Sequence, residues 1–242
     1  MSQTKNLEIL ILYDNVCAIA DGTPDHGFAC LVRTDQTIGV FDTGTKPAIF
    51  AHNLDALQVD MAQVQWVALS HPHYDHVGGL DVALDRAPHA QVIMPAGFPA
   101  SVKKKVLDAG APLVEIEAPG EFAPTVWATG PLGGPIVEQA LVVPTPRGPV
   151  LITGCSHPGI AEMVEFVARR WGTPLPLVIG GFHLMSHPKY AIRDIIARFR
   201  AAGVERVGPL HCTGATAQQM FAEEYGADYV EGGVGRLIVV GR

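Results

Sequence analysis

A chain of 242 residues with 48% hydrophobic and 17% charged side chains can bury a substantial core, which excludes a disordered polypeptide. Its formal charge of −7 leaves no concentrated basic patch for nucleic acid, and the only basic run, Lys103-Lys104-Lys105, reads as a solvated helix face. No stretch approaches the ~20 apolar residues needed to cross a bilayer, and the polar segment Met1–Asn6 is not followed by a secretory cleavage pattern. Cys17, Cys30, Cys155 and Cys212 show neither a CxxC spacing nor a disulfide framework, so reduced thiols in a cytoplasmic protein are expected.

The first third reads as strands at Leu7–Tyr13, Ala29–Arg33 and Thr37–Phe41, the last running into Asp42-Thr43-Gly44. A helical stretch near Lys46–Leu57 leads to an apolar strand, Gln65–Ser70. A short helix over Val77–Leu84, a strand over Gln91–Met94, a helix over Ala100–Ala109 and a strand over Pro112–Glu117 come next. A Pro/Gly-rich section, Pro119–Pro135, reads as irregular. Strands at Gln139–Val143 and Pro149–Thr153 then open an alternation. It runs through helix Gly159–Arg170, strand Leu175–Ile179, helix Tyr190–Ala201, strand Arg206–Leu210 and helix Ala215–Tyr225, and Arg236–Val240 is a last strand. Two strand-rich beginnings, each followed by alternation, predict an α/β fold of two stacked mixed sheets with helices outside, in one domain over residues 1–242.

Residues 71–76, directly after the Gln65–Ser70 strand, read His-Pro-His-Tyr-Asp-His. Three imidazoles and a carboxylate this close would gain nothing from one another on a surface, whereas a shared cation makes their crowding favourable. The bland reading, a polar turn in which Asp75 caps the following helix, leaves the histidines without a role. His157, His183 and His211 each follow an apolar strand beside small residues, in Thr153-Gly154-Cys155-Ser156-His157, Gly180-Gly181-Phe182-His183 and Pro209-Leu210-His211-Cys212. In an α/β protein functional groups collect at such strand ends. His52, His89 and His187 lack that setting and read as structural; His26 either faces substrate or steadies its turn.

His-x-His-x-Asp-His after a strand resembles the signature of the metallo-β-lactamase superfamily. The blocks Leu12–Asn15, His26–Phe28, Phe41–Gly44, Ser70–Leu80, Thr153–Ile160, Gly180–Leu184 and His211–Gly214 resemble one branch of it, named for 7,8-dihydropterin-6-yl-methyl-4-(β-D-ribofuranosyl)aminobenzene 5′-phosphate synthase. The resemblance extends from about Leu7 to Gly235 and implies an αβ/βα four-layer sandwich with a binuclear metal site. Two positions depart from the pattern. Pro72 stands where the branch has Gly, and the strand that commonly ends Gly-Asp, with an Asp bridging two metals, ends here Gly154-Cys155. Cys155 is then a thiolate ligand, a neighbour of a solvent bridge, or a small buried thiol.

Six ligands divide into two sets of three, His71, His73 and His157 for one ion and Asp75, His76 and His211 for the other, each leaving an open position. Two divalent ions are expected, zinc first, with manganese or iron as alternatives. They would generate a shared hydroxide near neutral pH and polarise a phosphoryl or carbonyl oxygen. Asp75 and His183 are the expected catalytic residues, His183 as a substrate contact or general acid, and Asp42 orients a ligand imidazole. The glycines at 130–134 and 232–235 read as turns. The expected function is hydrolysis of a small anionic molecule, a phosphoester related to a pterin, with no nucleic-acid or membrane partner. The alternatives are an iron-dependent redox enzyme of the same fold and a non-catalytic metal-dependent binding protein.

Overall fold

The computed structural model describes residues 2–133 and 136–241, so Gly134, at the end of the glycine-rich turn expected at 130–134, lies outside the described residues. In the first half β1 (Asn6–Tyr13), β2 (Ala29–Thr34) and β3 (Ile38–Phe41) form an antiparallel meander. β4 (Trp66–Ala68), β5 (Gln91–Pro95) and β6 (Leu113–Ile116) then continue the sheet in parallel from β3. The last strand of the chain, β13 (Leu237–Gly241), pairs antiparallel with β1 and completes the order β13-β1-β2-β3-β4-β5-β6. The second sheet begins with β7 (Gly120–Ala123), β8 (Val126–Ala128), β9 (Leu141–Thr145) and β10 (Gly148–Thr153), all antiparallel. It ends with β11 (Leu177–Gly181) and β12 (Val207–Leu210), parallel to β10, in the order β12-β11-β10-β9-β8-β7.

Side-chain alternation decides the layering. Along β1, Leu7, Ile9 and Ile11 enter a core between the two sheets with Val150 and Ile152 of β10 and Ile179 of β11, while Leu12 faces the other way. That outer face of the first sheet is covered by α1 (Pro47–Ala56), α3 (Leu80–Arg86) and α4 (Ala100–Asp108) through Phe50, Leu54, Leu84 and Val106. α5 (Ile160–Trp171), α6 (Lys189–Ala201) and α7 (Ala215–Tyr225) cover the second sheet through Met163, Val164, Ile192, Phe199 and Phe221. α5 shows how a helix is matched to one face: its buried residues recur at helical spacing, with Arg169 and Arg170 exposed on the other side. Three separate apolar layers, one between sheets and two beneath helices, make the expected four-layer αβ/βα sandwich.

Three local expectations are corrected. The single helix expected over Val77–Leu84 is two, α2 (Tyr74–Val77) and α3, broken at Gly78-Gly79. The Pro119–Pro135 section contains the β7–β8 hairpin, because Val126 and Ala128 reach the inter-sheet core and that burial outweighs the turn composition around them. β11 runs two residues further than the expected Leu175–Ile179, through Gly180 and Gly181, which pair with Pro209 and Leu210. Among the described residues no helix is long and apolar enough to cross a membrane.

Candidate metal centre

Parallel strands end on the same side of a sheet, and here their ends hold the chemistry. Asp42 follows β3, the 71–76 loop follows β4, and Cys155, Ser156 and His157 follow β10. His183 follows β11, and His211 and Cys212 follow β12. This is where open α/β sheets collect functional groups. α2 carries Asp75 and His76, and although only four residues long it is firmly held. The His76 carbonyl accepts from Thr43 N–H at 2.7 Å and Thr43 Oγ at 3.0 Å, and the Asp75 carbonyl accepts from Phe28 N–H at 3.2 Å.

Hydrogen bonds decide which ring nitrogen each histidine presents. Ser70 Oγ donates to Asp42 Oδ2 at 2.7 Å, so with its one proton committed it can only accept from His71 Nδ1 at 2.8 Å. The lone pair of His71 is therefore on Nε2, which is buried and has no protein partner. Asp42 Oδ2 also holds His76 Nδ1–H at 2.7 Å, turning His76 Nε2 inward. His211 Nδ1 lies 3.0 Å from Asn15 Oδ1, leaving its buried Nε2 likewise without a hydrogen-bond partner. Asp14, also buried, accepts from His211 N–H at 3.0 Å and fixes the turn that carries this ring.

The freed atoms converge. One atom each from His71, His73 and His157 lie within 4.8 Å of one another, as do those from Asp75, His76, Cys155 and His211. His73 Nδ1 and His157 Nε2 are 3.2 Å apart, and Asp75 Oδ2 is 3.2 Å from His211 Nε2 and 3.6 Å from His76 Nε2. A tetrahedral ion with metal–nitrogen bonds of about 2.0–2.1 Å separates neighbouring ligand atoms by roughly 3.3–3.4 Å, so both sets have the right spread. Two buried imidazole nitrogens without hydrogen bonds, at the convergence of borderline donors, fit a divalent metal. The structure thus brings together the six residues expected as ligands, in the two expected groups of three, and adds the Cys155 thiol, 3.1 Å from His76 Nε2, to the second.

Electrostatics follow the same division. Burial, then the neighbouring imidazoles, hold His71 well below the usual histidine range and push His157 down to about 4; His73 is lowered chiefly by burial. His76 is raised, because Asp42 and Asp75 outweigh its burial. Burial opposes ionisation of Asp75, but the His211 and His76 side chains beside it prevail and hold its carboxyl well below the usual carboxylate range. The rings of this site therefore stay neutral on one side and face a carboxylate on the other.

His183 stands beside the first set, its ring centroid 4.3 Å from that of His157, and with Phe182, Leu184 and Tyr190 it lines a cleft of about 660 Å³. His187, read as structural, lines the same cleft. His26 reaches Asp75 Oδ2 at 3.2 Å from the exposed rim, whereas His52 bonds the Asp21 carbonyl and stays outside the site, as expected. Glu138 was not foreseen. Fully buried, it accepts from the backbone N–H groups of Cys155, Ser156 and His157, each at 2.8 Å, and so shapes the loop that delivers His157. Burial pushes its carboxyl up to about 7 against these bonds. The signal in the sequence is a carboxylate, with Gln139 beside it, inside the largely apolar run Ile136–Val143.

This architecture recurs in known proteins. The chain is 26% identical to 7,8-dihydropterin-6-methyl-4-(β-D-ribofuranosyl)-aminobenzene-5′-phosphate synthase of Methanocaldococcus jannaschii, over 88% of this chain and 89% of that protein. Among solved structures, Tm1679, a metal-dependent hydrolase of the β-lactamase superfamily, is 28% identical and superposes with a TM-score of 0.81, covering 98% of this chain and all of that one (100%). The metallo-β-lactamase fold protein YhfI of Bacillus subtilis shares the fold at 12% identity, with a TM-score of 0.72 over 96% of this chain and 99% of its own. The profile of the metallo-β-lactamase superfamily matches residues 22–190, more than half the chain and the part that contributes five of the six residues expected as ligands; the chain belongs to that superfamily.

Proposed function

We propose that this chain is a binuclear metal-dependent hydrolase of a small anionic substrate, a phosphoester, working as one domain over residues 1–242 in the cytoplasm. The observation that carries the reading is the convergence of two neighbouring sets of donors, His71, His73 and His157 in one and Asp75, His76 and His211 in the other, with His71 Nε2 and His211 Nε2 buried and without hydrogen bonds. Divalent cations held there, zinc first, would supply Lewis acidity and a water-derived nucleophile at neutral pH. His71, His73 and His157 would hold one ion, and Asp75, His76 and His211 the other. Asp42 and Ser70 keep the protons of His76 and His71 on Nδ1, so both rings present a lone pair to the centre. His183, at the cleft and next to His157, is placed to protonate a leaving oxygen. The formal charge of −7 supports a small molecule over a nucleic acid. Similarity to the archaeal synthase supports a phosphate ester related to a pterin.

The test is a panel of phosphomonoesters and phosphodiesters, pterin-linked phosphates included, assayed with protein loaded with zinc or manganese. Turnover by the wild type is expected, with Asp75→Ala and His211→Ala inactive, short of metal and still folded. Metal-loaded protein with no turnover on any ester would favour the binding-protein reading. Iron with visible absorbance in protein made without added metal would favour redox chemistry. A variant that kept its full metal content would remove that residue from the ligand set.

A further inference from the structure

Beyond the two imidazole-rich sets, a third group of donors meets at the ends of β10, β11 and β12. We propose that Cys155, His183 and Cys212 form a separate cation position, selective for a closed-shell thiophilic ion of the zinc and cadmium class.

The three ligand atoms lie within 4.8 Å of one another, and both thiols are 2% exposed. β11 runs between the strands that deliver the two cysteines, and its last residue, Gly181, makes their approach possible. A Cβ there would strike the Gly154 carbonyl and come within 2.8 Å of Cys212 Sγ and 3.3 Å of the Cys155 Cα. Ser156, His183 and His211, each a donor of this set or the residue next to one, adopt left-handed φ angles of 68°, 53° and 47°. Residues other than glycine hold such backbone only where the surrounding structure imposes it, and its concentration around one point marks a functional constraint.

The donor chemistry separates this position from the other two. The proposed ligand sets of the catalytic pair are nitrogen and oxygen, which suit zinc, manganese or iron alike, whereas two sulfurs and one nitrogen favour a soft ion and disfavour manganese or magnesium. Binding would displace the two thiol protons to solvent and leave two thiolates that neutralise a divalent charge. Cys155 Sγ also lies within the Asp75, His76 and His211 group, but Cys212 belongs to the sulfur-rich group alone, so Cys212 distinguishes the two. Occupation would engage the His183 imidazole. If His183 protonates the leaving group, which rests on the reading above, excess thiophilic metal inhibits through this position.

The experiment does not depend on turnover. Metal-free wild type and Cys212→Ser are titrated with Cd²⁺ under reducing conditions, following thiolate-to-cadmium charge-transfer absorbance and bound metal. The wild type should bind one equivalent more than Cys212→Ser, and the variant should lose at least half of the absorbance. Equal stoichiometry and equal absorbance would overturn the proposal, because Cys155 in the Asp75 group would then account for the signal. If Cys212→Ser does not fold, X-ray absorption at the zinc edge of fully loaded wild type decides. Summed over the bound ions, two zinc–sulfur bonds per protein at about 2.3 Å support the position, and one or none rejects it. A Cys155–Cys212 disulfide that persists in metal-loaded wild type, detected as the loss of two hydrogens by mass spectrometry, also rejects it.

Discussion

At the scale of the residue, hydrogen-bond direction gives each side chain its part. Among the histidines that follow strands, His183 is outside both proposed ligand sets of the catalytic pair, and its place against His157 and the cleft supports the proposed role of proton donor to substrate. His183→Ala, compared at equal metal content, should lose about 10²–10⁴-fold in turnover of an ester with a poor leaving group, and far less on a nitrophenyl ester that needs little protonation. An equal loss on both would reject the acid role. Glu138 acts at one remove, through the backbone of the 155–157 loop. Glu138→Gln keeps the shape but turns an amide N–H₂ towards donors that need an acceptor. We expect a loss of about 1–3 kcal/mol in stability, read from the denaturant midpoint, with weaker metal binding through His157. A variant as stable as the wild type would mean that the loop holds its shape without the carboxylate.

At the scale of the element, the centre depends on short segments held by close backbone packing. α2 lies so near the 43–45 turn that a Cβ on Gly78 would strike the Thr45 carbonyl and come within 2.8 Å of the Tyr74 carbonyl, both backbone atoms that cannot swing aside. Gly78→Ala should therefore destabilise by about 1–3 kcal/mol and weaken binding by Asp75 and His76 together, measured by denaturant melts and chelator competition. Unchanged values for both would show that the turn relaxes freely. The same features explain what was legible in the chain. The His71–His76 cluster could be read because its density is local, and β1, β10 and α5 because their apolar spacing follows one period. The α2–α3 break was hidden because a helical run of residues continues across two glycines whose need arises from the distant 43–45 turn. β7 and β8 were hidden because burial against the other sheet overrides their Pro/Gly-rich surroundings. Glu138 was hidden because its partners lie 17–19 residues away, across a turn that no local pattern connects.

At the scale of the whole molecule, two sheets bring together imidazoles that would repel one another if protonated, so acid and metal act on stability in opposite ways. His157 titrates at about 4 in the folded chain against an ordinary 6.5, and His71 and His73 are lowered in the same direction. Between those values the unfolded chain binds protons that the folded chain refuses, so acidification from pH 6.5 towards 4 destabilises the metal-free protein. Glu138, with its carboxyl raised to about 7, and buried Asp14, raised in the same direction, work in the opposite sense because they take up a proton more readily when folded, but they are two groups against three. His76, raised above the usual histidine value, adds stability that is lost as pH rises through its folded value, so the metal-free protein should lose stability on the alkaline side as well as in acid. A metal held as proposed would bind the convergent donors of the folded state rather than the scattered ones of the unfolded chain, which would raise the melting temperature, and protons would compete with it for the same nitrogens. The melting-temperature gap between zinc-loaded and metal-free protein should therefore be widest near neutral pH and close as pH falls to about 4. Thermal melts of both forms across that range check this. A gap independent of pH would mean that the bound metal is held by groups other than these imidazoles.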